Sequence, residues 1–299
     1  MSTYAPGEAA AVIHDIRYSR FTGQLRPRWY AVLALARNSA LRTLGMRRSA
    51  AAKIWPFLLV AASFAPAVVA VGVPLLFGRA GLRNPLDVIT YWTLMTLTGT
   101  TLLIAYTAST IPSLLTRERR DRVLSLWFST AVSPVEYVVG KLLAALCVLL
   151  LVVFGPLLVE WVGGALAADS PGSWLAHHVD ELPKLLLASL LVVIFHAAAG
   201  LGIGSLTAKR VFAVGGYVAL ILVPAVLGGI LAGITGNDDF LVLVLVQVPL
   251  DLAAQIVGGL NADQASTIPN EALTWVVWTL VVALGLGAFS LRYRSEDAS

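Results

Sequence analysis

Residues 116–141 read TRERRDRVLSLWFSTAVSPVEYVVGK, and this stretch separates two long apolar runs. Six charged residues stand in succession from Arg117 to Arg122, followed by Leu126, Trp127 and Phe128, then Ser133-Pro134-Val135-Glu136. Glu118 and Arg122 have the i, i+4 spacing and order that favour an ion pair on one helix face. Val123, Leu126, Trp127 and Thr130 fall on a shared face, with Phe128 alongside, so a short amphipathic helix is expected. Ser133 at the N-cap, Pro134 at the first helical position and Glu136 at the third compose a capping box with a proline start. A new helix therefore begins at 134 and runs through Gly140-Lys141 into the apolar segment beyond. A solvated loop would account for the arginines. It would not account for Leu126, Trp127 and Phe128, an apolar patch that calls for a cover of lipid headgroups or a partner protein.

The flanking sequence sets the environment. Of the 299 residues, 58% are hydrophobic and 13% charged, against about 25% charged in soluble domains; mean hydropathy is +0.82. These values define an integral membrane protein. Its pI near 9.4 fits basic residues on the cytoplasmic membrane face better than a nucleic-acid surface. Six segments have the roughly 20 apolar residues needed to cross a bilayer: 54–77, 91–115, 141–163, 185–206, 211–234 and 272–291. Trp55, Trp92, Trp161, Trp275 and Trp278 fall at segment ends, where aromatic rings meet headgroups. Lys and Arg number nine in the leader, then two, five, one, two and none in successive loops, and two in the tail. The alternation predicts a cytoplasmic N-terminus and C-terminus.

Residues 240–260, FLVLVLVQVPLDLAAQIVGGL, resemble a seventh span, but Gln247, Pro249, Asp251 and Gln255 interrupt them. Such a run reads as a re-entrant helical hairpin at 238–260, dipping into the outer leaflet. In the leader, Trp29, Leu33, Ala36, Ala40 and Leu44 line one face of a basic amphipathic helix over 26–50, expected to lie in the membrane interface. Residues 1–25 read as a flexible cytoplasmic leader, 54–291 as the membrane domain with a cytoplasmic loop at 116–140, and 292–299 as a cytoplasmic tail.

Catalytic signatures are scarce. The only Gly-Lys, Gly140-Lys141, lacks the rest of a phosphate-binding loop. The single cysteine, Cys147, reads as a small buried hydrophobe. His196 lies mid-span, where an ionisable side chain is a candidate for a transport pathway; a neutral imidazole bonded to a neighbouring helix is the plainer reading. Glu160, beside Trp161, reads as snorkelling at the outer interface or lining an exit. The segment from Asp169 to Glu181 reads as an extracellular loop, and the adjacent His177 and His178 point in different directions, so no metal site is assigned. No catalytic residue is assigned either.

The 116–141 pattern, carried by Glu118-Arg119, Leu124 to Leu126, Ser133-Pro134-Val135-Glu136 and Gly140-Lys141, resembles the cytoplasmic loop of the permeases of type-2 bacterial ATP-binding-cassette (ABC) transporters. The local likeness spans about 25 residues, and the layout of leader helix, six spans and outer hairpin is similar too. The chain departs from the family at Arg122-Val123, where Gly-Thr is common, and at Ser125, where Glu is. The resemblance implies an all-α membrane fold and a permease subunit of an exporter in the bacterial cytoplasmic membrane. It implies that the loop is a coupling helix contacting a separate ATPase subunit, with Glu118, Arg119, Arg122, Leu126, Trp127, Phe128, Ser133 and Glu136 as its contact set. Two ATPase copies and a second permease copy, identical or related, would complete the assembly. ATP and magnesium would sit on the ATPase, and this chain would carry no cofactor. A secondary transporter or channel is the alternative, although few intramembrane charges are available to couple an ion. A membrane enzyme or scaffold ranks third. A pathway of apolar and small residues suits amphipathic drugs, lipids or peptides.

Overall fold

The computed structural model describes residues 27–46, 50–79, 90–121, 132–257 and 267–296. These residues are helical, with no strand among them. In chain order the helices are α1 (Arg28–Thr43), α2 (Ala50–Arg79), α3 (Tyr91–Arg120), α4 (Pro134–Ala167), α5 (Pro171–His178), α6 (Glu181–Leu206), α7 (Arg210–Thr235), α8 (Gln247–Val257) and α9 (Glu271–Glu296). Six of them, α2, α3, α4, α6, α7 and α9, are long and apolar enough to cross a membrane. They coincide with the six segments expected from sequence. The leader 1–25 and most of the coupling stretch, residues 122–131, lie outside the described residues.

Local sequence signals explain most helix boundaries. Ser133 Oγ accepts from the Glu136 N–H at 3.3 Å while Glu136 Oε2 accepts from the Ser133 N–H at 2.7 Å, which is the expected capping box with Pro134 opening α4. At the end of α1, Gly45 adopts φ 79°. Its N–H reaches Arg42 O at 3.1 Å and the Met46 N–H reaches Leu41 O at 2.9 Å, the two bonds of a Schellman stop. The leader helix is therefore shorter than the 26–50 expectation. Gly236, at φ 67°, closes α7 in the same left-handed conformation. The span α3 is not uniform: Thr98–Leu102 forms a π turn, and Ile111-Pro112 interrupts the regular helix before Ser113. Proline lacks the N–H that would continue the ladder.

The bundle is arranged around α6. In the most apolar window of α6, 67% of residues are buried, against 56% for α3 and 44% for α4, but only 17%, 17% and 11% for α2, α7 and α9. The last three helices thus turn most of their surface outward. The backbones of α6 and α9 approach each other closely. A Cβ on Gly202 would stand 2.7 Å from Gly285 Cα, and one on Gly285 would collide with the Ala198 carbonyl oxygen. Both positions need the bare backbone. On the other side of α4, a Cβ on Gly163 would overlap Val71 of α2.

One expectation is corrected, and other segments gain detail. Cys147 is exposed, because the outward face of a span meets lipid rather than protein. The segment from Asp169 to Glu181 contains the helix α5, begun by Pro171. Trp161 and Trp278, expected at segment ends, donate their indole N–H groups to His178 O and Leu191 O, both at 3.1 Å. The C-terminal tail is a continuation of α9 as far as Glu296. Between α7 and α9 there is a 3-10 turn at Asp238–Leu243 and then α8. At 1.5 Å per residue, the 11 residues of α8 are too short to cross a bilayer. Leu250 of α8 packs over Gly99 in the π turn of α3, where a Cβ would come within 3.1 Å of it. Asp251 is buried and accepts from Gln247 Nε2 at 2.8 Å, Thr267 Oγ1 at 3.1 Å and the Ile268 N–H at 2.8 Å. The polar residues that break the apolar run thus tie α8 to the start of α9.

Candidate functional site

Among the described residues, a buried polar cluster gathers where α3 ends, α4 begins and α1 crosses both. Gly140 lets α1 approach, since a Cβ there would stand 2.9 Å from Leu35 Cδ2 and 3.3 Å from Val32 O. The stripe of α1 that turns inward is Leu35, Ser39 and Thr43 with Ala36. Trp29 and Leu33, expected on the membrane-facing stripe, remain exposed.

Against this contact, Lys141 and Glu118 form an ion pair at 2.6 Å, with side-chain exposures of 2% and 10%. Glu118 Oε1 accepts from Lys141 Nζ, and Glu118 Oε2 accepts from Tyr137 Oη at 2.6 Å. Lys141 Nζ also donates to Ser39 Oγ at 3.1 Å and stands 5.2 Å from the Tyr137 ring centroid. The Tyr137 ring in turn packs on Tyr293 of α9 at 5.0 Å. Residues from α1, α3, α4 and α9 thus meet at one point. A buried charge pair of this kind keeps its place only when its remaining hydrogen-bonding capacity is met. A cavity of about 20 Å³ beside it, bounded by Ser39, Arg42, Arg117 and Lys141, has room for a single water.

Of the eight residues expected at the loop, four lie in the described part. Glu118 faces into the protein and is engaged by Lys141 and Tyr137, in place of an exposed position on a helix face. Arg119 donates from Nη1 to the Ser205 carbonyl oxygen, joining α3 to the end of α6. Ser133 and Glu136 are half-buried, and each uses a side-chain oxygen to cap α4. Arg122, Leu126, Trp127 and Phe128 fall outside the described residues. Tyr137, Lys141 and Ser39 were not singled out by the sequence for this contact. A signal did exist: a lysine at the mouth of a span needs a counter-charge, and Glu118 is the acid standing before the same loop.

The two intramembrane candidates are apart from this cluster. His196 is fully buried on α6, and its Nδ1 lies 2.7 Å from Tyr217 Oη of α7. Its Nε2 has no hydrogen-bond partner among the described residues. Glu160 sits at the opposite end of the bundle, in a cavity of about 340 Å³ that it shares with Tyr91, Glu181, Gly163 and Gly164. Tyr91 Oη donates to Glu181 Oε2 at 3.3 Å, while Glu160 Oε2 is buried with no partner among the described residues. Nearby, each of His177 and His178 has Nδ1 against a carbonyl oxygen of its own helix, Ser173 O at 2.7 Å and Trp174 O at 2.8 Å. In the loop between α5 and α6, the Lys184 ammonium holds the Asp180 carboxyl below its ordinary value.

The chain matches the family model of ABC-2 family transporter proteins over residues 84–291, from just before α3 almost to the end of α9. It belongs to that family, whose members are the membrane-spanning permease components of ABC transporters. No protein of curated function matches it significantly. The six apolar helices and the family together make it a multi-pass membrane protein with a role in transport.

Proposed function

We propose that this permease is an exporter subunit of a bacterial cytoplasmic membrane, driven by a separate ATPase that docks on the 116–136 loop. The observation that carries the reading is the buried Glu118–Lys141 pair with Tyr137 and Ser39. It closes the base of the loop and joins it to α1, α3 and α4. A loop held rigidly at its base can pass a displacement to the spans as a body, whereas a loose one would absorb it. Trp127 and Phe128 supply the apolar surface for the contact, and Arg119 and Arg122 its charge. Glu118 acts indirectly, as the anchor of the loop.

In this reading the N-terminus and C-terminus are cytoplasmic, and the Trp29–Leu33 face of α1 lies in the membrane interface. The turn at 238–243 and α8 form the outer re-entrant hairpin. Two ATPase copies, holding ATP and magnesium, engage two permease copies, identical or related. Membrane lipid surrounds the outward faces of α2, α7 and α9. Translocated compounds would be amphipathic, in keeping with the apolar and small residues of the spans.

Co-purification and ATPase stimulation test the proposal. Replacing both Trp127 and Phe128 by Ala is expected to abolish ATPase stimulation while leaving the permease folded and monodisperse. The reading fails if the chain purifies without any nucleotide-binding subunit and the double variant leaves stimulation intact.

A further inference from the structure

At the same end of the bundle as the ion pair, four cations surround an open cleft of about 560 Å³. Arg117 and Arg120 come from the last turn of α3, with Ser113 and Thr116 on the same wall. Lys209 comes from the short connection between α6 and α7, and Arg210 is the first residue of α7. Among the described residues, the only carboxylate paired with any of the four is Asp121, shared by Arg117 at 3.6 Å and Arg120 at 3.2 Å. Lys209 Nζ stands 5.6 Å from the Phe212 ring. Arg210 donates from Nη2 to Ser109 O at 2.8 Å, which orients its guanidinium and leaves further N–H donors on the fork. The cleft thus carries a surplus of positive charge and donors suited to a phosphate.

We propose that this cleft, between the end of α3 and the α6–α7 connection, binds the phosphate headgroup of an anionic phospholipid. The surroundings favour a lipid over a free anion. Leu206 at the end of α6 and Val211 and Phe212 just after Arg210 are exposed, at 65%, 80% and 65%. They continue into the outward-facing surface of α7. A free phosphate would have no use for an apolar rim, whereas a phospholipid presents both the anion and the chains that cover such a rim. The cleft also lies at the ends of three spans, at the level where headgroups stand, and basic pockets between spans bind such headgroups. Thr116, Arg117 and Arg120 also belong to the stretch on which the ATPase is proposed to dock, so the test includes that subunit as a competitor.

The test is native mass spectrometry of the full chain in detergent with equal amounts of phosphatidylglycerol and phosphatidylcholine. Wild type is expected to retain phosphatidylglycerol preferentially. The exposed-site variant R117Q/K209Q is expected to lose that preference, by about 5-fold for each cation removed. K184Q, which removes one cation at the opposite end, is expected to retain it, and size-exclusion profiles establish that both variants are folded. Millimolar inorganic phosphate is expected not to displace the lipid. An unchanged preference in R117Q/K209Q overturns the proposal. Displacement by inorganic phosphate overturns it in favour of a free-anion site. Loss of bound lipid when the ATPase subunit is added in equal amount overturns it in favour of a protein contact.

Discussion

Lys141 carries its charge at a depth where an ammonium without a partner would not remain, and the side chains around it share one carboxylate. Removing the cation alone should strand Glu118. Lys141→Met is expected to destabilise the protein by about 3–5 kcal/mol, the usual cost of breaking a buried pair from one side. The double variant Glu118→Gln, Lys141→Met should recover at least half of that loss, because no buried charge remains. Thermal unfolding in detergent measures both; equal melting temperatures for Lys141→Met and wild type would show that the pair is not buried. Tyr137→Phe deletes the second donor to Glu118 and is expected to cost about 1–3 kcal/mol. Little of this was legible in the sequence. Glu118 was read with its neighbour four positions on, because local spacing is all that a helix pattern displays. Its partner Lys141 lies 23 positions away, and the Ser39 contact to Lys141 spans 102. Such contacts arise from how α1, α3 and α4 pack together.

At the scale of single helices, composition was a better guide. Six spans and the start of α4 follow from apolar length and from one Ser-Pro-x-Glu sequence, since both are set by nearest neighbours. Helix faces were harder to read. A span has no polar side to mark its exterior, so Cys147 and the inward Trp161 were not distinguishable from their neighbours. Glycine shows the same limit. Gly202, Gly285 and Gly287 look equivalent in sequence, yet a Cβ on Gly285 meets the Ala198 carbonyl oxygen, while one on Gly287 meets nothing within 4 Å. Gly285→Ala is therefore expected to cost about 1–3 kcal/mol through forced separation of α6 and α9. Gly287→Ala should be neutral or slightly stabilising, since alanine is the better helix former. The two melting temperatures decide the matter, and an unaltered value for Gly285→Ala would rule out the close crossing. At α8, Asp251→Ala removes the acceptor for Gln247, Thr267 and Ile268. It is expected to loosen the connection into α9, seen as faster amide exchange in residues 247–257.

For the whole molecule, the alternation of basic residues predicts the sidedness that the bundle itself leaves open. In a Cys147→Ala background, Ser173→Cys between α4 and α6 should react with an impermeant thiol reagent added to intact cells. Ser295→Cys at the end of α9 should react only after lysis; the reverse pattern would invert the topology. The Glu118–Lys141 pair also bears on how the chain enters the membrane. Ser39 and Glu118 both precede Lys141 in the chain, so a growing polypeptide presents them before the lysine emerges. The helix α4 would meet a steep barrier if it entered lipid alone, with its ammonium uncompensated. Paired with Glu118, it enters with that ammonium compensated. The ion pair therefore couples α3 and α4 at the step where the two spans come together in the membrane, before α9 is made.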